Sequence, residues 1–226
     1  MRKVVVALIM LAVLLAIVDR VAVTGVQNEI GKQIAAKYDL AEQPKVEITG
    51  IPFLTQALLG RYQEIHAAIG PMTVEGVDLT GVDATLTGVT APLADLIQDP
   101  STADIRAEHV DGTIVVSWKA IDERAPRGVT LDAGDGGKLK VSGKFSAFGQ
   151  SVPVTADVKI SVVSGGVKLT PVGVKVANGI RVPNAEKFLT FTVPVKNLPL
   201  HLKITSVKST PEGLAIAAAA SDVPLR

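Results

Sequence analysis

The side chains able to do chemistry in this 226-residue chain are few, and their spacing points away from catalysis. Its three histidines, His66, His109 and His201, lie far apart, with no His-x-His or His-x-x-x-His pair among them. A metal site would need them to converge with carboxylates, for which there is no motif. Asp132 and Asp135, in Asp132-Ala133-Gly134-Asp135-Gly136-Gly137, invite a calcium reading. A calcium loop of the EF-hand kind needs alternating oxygen ligands closed by a glutamate. Here Leu139, Lys140 and Val141 follow, so the run reads as a turn. Gly149-Gln150-Ser151-Val152-Pro153 comes nearest to a nucleophile elbow and lacks the second glycine. Glycine-rich phosphate-binding motifs of the dinucleotide and Walker kinds are absent. With no cysteine, thiol chemistry and Cys-ligated zinc are excluded. The expectation is a protein that is not an enzyme, with no catalytic residues, no metal and no cofactor.

What the sequence sets aside is apolar surface. In Gly50-Ile51-Pro52-Phe53-Leu54-Thr55-Gln56-Ala57-Leu58-Leu59-Gly60-Arg61-Tyr62, Pro52 suits a first helical position and Gly60 a C-terminal cap. That predicts a turn or two of helix, apolar almost all round and broken only by Thr55 and Gln56. A helix so short and apolar either plugs into a core or sits in a membrane interface. Removing apolar area from water is favourable by roughly 25 cal/mol per Å², or about 0.8 kcal/mol per methylene. An acyl chain can therefore be held without specific polar contacts. Phe53, Leu54 and Leu58 are the candidates for the mouth of an apolar groove. Arg61 and Tyr62 are candidates for a polar headgroup, since arginine meets a phosphate bidentately.

The element that would form the groove wall runs from Lys138 to Val176. Val152, Val154, Ala156, Val158, Ile160 and Val162 alternate with polar residues over about eleven positions, roughly twice the usual strand length. Leu139, Val141 and Phe145 alternate before them, and Val167, Leu169, Val172, Val174 and Val176 follow. Gly149-Gln150 and Ser164-Gly165-Gly166 supply hairpin turns. This is a long antiparallel meander with one apolar face, and Val154, Val158 and Ile160 are candidates along the wall. The expected fold is α+β and mostly β, a long curved antiparallel meander wrapped around an amphipathic helix. That helix is the Val23–Tyr38 stretch, where Val23, Val26, Ile30, Ile34 and Tyr38 recur at spacings of three and four.

Ahead of it, Arg2 and Lys3 precede an unbroken apolar run from Val4 to Val18, ended by Asp19-Arg20. About 15 residues suit a signal-peptide core and fall short of the roughly 20 of a spanning helix. No clean cleavage site follows; Ala22-Val23-Thr24-Gly25 is the nearest approach. Residues 1–22 are thus a signal peptide or a signal anchor, and 23–226 one lipid-binding domain. The expected address is exported, in the periplasm or cell envelope, with residues 4–22 able to anchor it to the cytoplasmic membrane. Removing three basic residues and one acidic one at this end from totals of 23 and 22 leaves 20 against 21. That balance, with 4% aromatics, argues against nucleic acid and against a polybasic lipid-docking patch. Any lipid contact must be apolar.

The remaining elements follow from turn chemistry. Val46-Glu47-Ile48 and Ile65–Ile69 read as strands, and Thr73–Thr90 as strands bent at Gly76, Gly81 and Gly88. Ala91–Ile97 reads as a helix opened by Pro92. Asp111-Gly112 predicts a hairpin between Ile105–Val110 and Thr113–Val116. Ser117 caps a helix over Trp118–Arg124. Asn178-Gly179 marks another turn, Asn184 a short helix to about Leu189, and Pro194, Pro199 and Pro211 edge strands or loops. Leu200, Leu202 and Ile204 alternate, and Leu214 opens a last strand through four alanines to Val223.

Ile48-Thr49-Gly50-Ile51-Pro52-Phe53-Leu54-Thr55-Gln56, continuing to Gly60-Arg61-Tyr62, resembles the signature of the LmeA-like phospholipid-binding family. Asp19-Arg20-Val21-Ala22, Glu212-Gly213-Leu214 and Asp222-Val223-Pro224-Leu225 are similar to other parts of it. The resemblance implies an exported actinobacterial envelope protein that binds phospholipids, phosphatidylinositol types included. In mycobacteria it implies support of mannan elongation in lipomannan and lipoarabinomannan assembly, without sugar transfer. It also implies a curved sheet around a helix akin to tubular lipid-binding folds. The expected partners are phospholipids, a membrane through the N-terminal segment, and a membrane glycosyltransferase. The alternative function is a membrane-anchored scaffold whose apolar surface stabilises that glycosyltransferase.

Overall fold

The computed structural model describes residues 1–74, 76–92, 104–125, 128–134, 139–147, 150–163, 166–176, 190–194 and 202–225. The chain forms two compact units. The first comprises Met1–Gly70, Asp83–Gly112 and Ala220–Arg226, and the second Pro71–Val82 and Thr113–Ala219. The class is α+β and mostly β, with long antiparallel strands and an N-terminal helix.

In the first unit, helix α1 (Arg2–Tyr38) is unbroken through the polar Asp19-Arg20 step. It ends where Asp39 turns left-handed and returns its N–H to the Ala35 carbonyl. Residues 1–18 are exposed, whereas Asp19, Val23 and Gly31 are buried. Gly31 is a close approach: a Cβ there would lie 2.9 Å from the Pro44 carbonyl oxygen. Strand β1 (Lys45–Thr49) follows, then helix α2 (Phe53–Leu59) and strand β2 (Arg61–Ile69). β1 and β2 are antiparallel, with Val46 opposite Ala67 and Ile48 opposite Ile65. α1 packs on β1 and α2, and Val23, Ile48 and Phe53 form a small core flanked by Ile30, Ala57 and Tyr62.

Strands β4 (Val77–Thr90), β5 (Arg106–Ser117) and β12 (Gly213–Pro224) run from one unit into the other. They belong to a sheet ordered β1-β2-β4-β5-β12-β11, where β11 is Lys203–Thr210 and β3, Met72–Val74, pairs with β4 through the turn at Gly76. The hairpin expected at Asp111-Gly112 is absent: β5 passes straight through. A type I′ turn needs positive φ at both central residues, and Gly112 is not among the positive-φ glycines. Flanked by two long neighbours in the sheet, β5 gains ladder hydrogen bonds by staying extended.

The second unit holds the meander. Ser117 Oγ accepts the Ala120 N–H at 3.1 Å and starts helix α3 (Trp118–Asp122). Strands β6 (Val129–Ala133), β7 (Leu139–Ala147), β8 (Gln150–Val163), β9 (Gly166–Val176) and β10 (Phe191–Pro194) then form a five-stranded antiparallel sheet. The apolar face is packed dry. Leu131, Leu139, Val141, Val154, Ala156, Val167 and Leu169 are buried together with Val116, Ile121, Leu214 and Ile216. The cover is therefore α3 with the second-unit ends of β5 and β12. The 23–38 stretch, expected to cover this face, packs on β1 and α2 of its own unit. Cover thins along β8: Val154 and Ala156 are buried, Val158 and Ile160 half-buried, and Val162 exposed. Among the described residues, β7 pairs with β8 from Leu139 opposite Val158 to Ala147 opposite Gln150.

Most of the helix expected from Ala91, the Asn178-Gly179 turn, the helix from Asn184 to Leu189, and Asp135, Gly149, Ser164, Gly165, Pro199, Leu200 and His201 lie outside the described residues.

Candidate functional site

The 48–62 segment shows why its residue types occur in that order. Gly50 has φ +96°, and a Cβ on it would come within 2.8 Å of the Gln56 and Gln63 side chains. Pro52 precedes α2 in an extended conformation and offers no side-chain cap. A helix start leaves backbone N–H groups without partners. The partner here comes from another element: Asp19, buried on α1, accepts the Leu54 N–H at 2.8 Å and pairs with Arg20. Phe53 points inward onto Val23 and Ile48, its ring 6.2 Å from that of Tyr62. Gln56, also buried, clamps both sides. Its Nε2 donates to the Thr49 carbonyl at 3.1 Å, and its Oε1 accepts the Gln63 N–H at 2.9 Å. At Gly60, φ +64° ends the helix, and a Cβ would meet Ala91 and Pro92 backbone at under 3 Å. The Gly60 carbonyl accepts the Ala91 N–H at 2.8 Å.

This scaffold turns Gln56 inward with Phe53 and leaves the other large apolar side chains of the segment outward. Ile51 is 80% exposed, Leu58 77%, Leu59 68% and Leu54 37%. Scattered exposed leucines are ordinary, but a set of them on a rigidly held helix is a candidate interaction surface.

Of the residues singled out from the sequence, Leu54 and Leu58 lie on this surface, with Phe53 beneath it. Arg61 follows, exposed and without an ion-pair partner among the described residues. Tyr62 is half-buried, and burial pushes its phenol pKa up, which keeps the hydroxyl neutral. Val154, Val158 and Ile160 belong to the second unit; Val154 is deep in its core, and the other two pack at its margin. Asp19, Gln56, Ile51 and Leu59 escaped notice as site residues. A lone acid ending an apolar run and a lone glutamine in an apolar helix were the available signals for the first two.

The remaining polar candidates are dispersed. His66 Nε2 lies 3.0 Å from Asp83 Oδ1, and His109 Nδ1 3.0 Å from Ser221 Oγ, both on exposed strand surface. Among the described residues no three His, Asp or Glu side chains converge.

The strongest candidate site among the described residues is thus the apolar surface of α2. The chain belongs to the LmeA-like phospholipid-binding family, whose model matches residues 17–219. The match takes in Asp19 and α2 and leaves out most of the apolar run. The family description is of phospholipid binding, not of a reaction. No match to the chain was found among curated proteins or solved structures.

Proposed function

We propose that the protein is an extracytoplasmic phospholipid-binding protein, kept in the cytoplasmic membrane by α1, that supports assembly of envelope glycolipids of the lipomannan and lipoarabinomannan kind. The observation that carries this reading is the outward apolar face of α2, built on a buried polar clamp, in a chain of phospholipid-binding family. Leu54 and Leu58 meet acyl chain at the surface, and Val158 and Ile160 do so where the meander's cover thins. Phe53 and Val154 act from beneath by fixing their elements. Arg61 and Tyr62 offer a cation and a neutral hydroxyl to a headgroup.

Packing supports retention of the N-terminal segment. α1 is long and apolar enough to cross a membrane. Cleavage near residues 22–25 would strip Asp19 from Leu54, and cleavage beyond residue 23 would also remove Val23 from the small core. A signal peptide has no such role in the mature fold.

Native mass spectrometry of the full chain released from detergent tests the reading. A bound phospholipid mass is expected, and Leu58→Asp should abolish it while a cooperative thermal transition persists. A bare parent chain would sink lipid binding and leave the glycosyltransferase scaffold, which the same apolar surface would serve.

A further inference from the structure

We propose that the exposed face of α2, formed by Ile51, Leu54, Leu58 and Leu59, is a foot that rests in the surface of the same bilayer that α1 enters. The occupant of this face is thus the interfacial layer of a phospholipid membrane. This rests on the anchored reading above and adds the placement of α2.

Four observations point to it. The first is level. The Asp19–Leu54 hydrogen bond fixes the first turn of α2 beside the residue that ends the apolar run of α1. Whatever depth Asp19 takes, α2 shares it.

The second is length. Residues 4–18, at about 1.5 Å per residue, span roughly 22 Å, whereas a bilayer's hydrocarbon core is about 30 Å thick. A short span is accommodated by local thinning and by drawing flanking residues inward. Asp19 is fit for that boundary because its carboxylate is already answered by Arg20 and the Leu54 N–H.

The third is charge. No ionisable side chain occurs from Gly50 to Gly60, so nothing on α2 resists the headgroup region. Arg20 and Arg61, both exposed, flank it with cations, and Arg61 has no described partner. Phosphate oxygens are the complementary group.

The fourth is rigidity. Phe53, Gln56 and Gly60 hold α2 so that its apolar residues cannot fold back onto the core. An interfacial helix needs its apolar face presented in this way.

The absence of cysteine permits a direct test on the full chain. Single variants Leu11→Cys, Leu58→Cys and Lys37→Cys are labelled with an environment-sensitive fluorophore. They are reconstituted in phosphatidylcholine–phosphatidylglycerol vesicles containing nitroxide-labelled lipid. The labels at 11 and 58 should be quenched, and that at 37 not, since Lys37 lies about 27 Å along the helix beyond Asp19. A label at Thr55→Cys, which replaces an exposed polar residue of α2, should be quenched as well, excluding insertion driven by the dye at 58. Quenching at 11 with labels at 55 and 58 behaving like 37 overturns the foot and leaves the anchor standing. Quenching at none of the four overturns both.

Discussion

The core of the second unit and the small core of the first are built from the same kinds of residue but treat their surfaces in opposite ways. Along β8 the alternation is conventional, with Val154 and Ala156 inside and Thr155 and Asp157 outside. Around α2 it is partly inverted, although Phe53 stays inside. Gln56 and the carboxylate that caps α2 are buried, while Ile51, Leu58 and Leu59 face out. The sandwich of β5, β12 and the meander follows the hydrophobic effect alone. The α2 region spends hydrogen bonds to hold apolar side chains away from the core. The difference separates a region shaped for stability from the candidate contact surface.

Predictions that break or sharpen the contrast run from large effects to small. Leu169→Ala or Leu131→Ala should cost about 2–5 kcal/mol in denaturant unfolding, since each side chain lies fully inside the dry core. A loss under 1 kcal/mol would mean that this core is loosely packed. Gln56→Ala should cost about 1–3 kcal/mol by leaving the Thr49 carbonyl and the Gln63 N–H unpaired. It should also weaken vesicle binding, and an unchanged affinity would show that the clamp does not present the apolar face. Leu58→Asp should change stability by no more than about 0.5 kcal/mol, because the side chain is exposed. Its lipid binding should nevertheless be lost; unfolding would make Leu58 ordinary core.

The smallest effect concerns Asp122. Burial pushes its carboxyl above the ordinary range, against the Leu131 N–H that it accepts at 2.8 Å. With the folded value raised, its contribution is fully present below the unfolded pKa and is lost as pH rises through the folded one. Asp122→Asn keeps an oxygen for Leu131 and removes that loss. Its stability relative to the parent should therefore increase as pH rises through this acid window. Parallel curves would discount the effect of burial.

Much of this was legible along the chain. The meander was visible because its period of two is local and its turns carry glycine. α2 was visible through Pro52 and Gly60, and α3 through Ser117. The second layer of the sandwich was not. In the sequence pattern Gly76, Gly81 and Gly88 interrupt β4, and Asp111-Gly112 reads as a turn within β5. Gly76 makes a turn and Gly88 takes a left-handed φ of +62° without ending β4, whereas Gly81 and Gly112 sit within strands whose neighbours hold them extended. Along the chain Asp19 is simply the end of an apolar run, because its bond to Leu54 spans 35 residues.

By itself, then, the sequence determined the local periods, the caps and the family, since each depends on neighbours a few residues apart. It also set the apolar character of 50–60. Which side of α2 faces out, and what holds it there, was decided by tertiary structure. Burial of a glutamine or an aspartate is tolerable only where distant backbone groups meet it, and those partners are set by the fold.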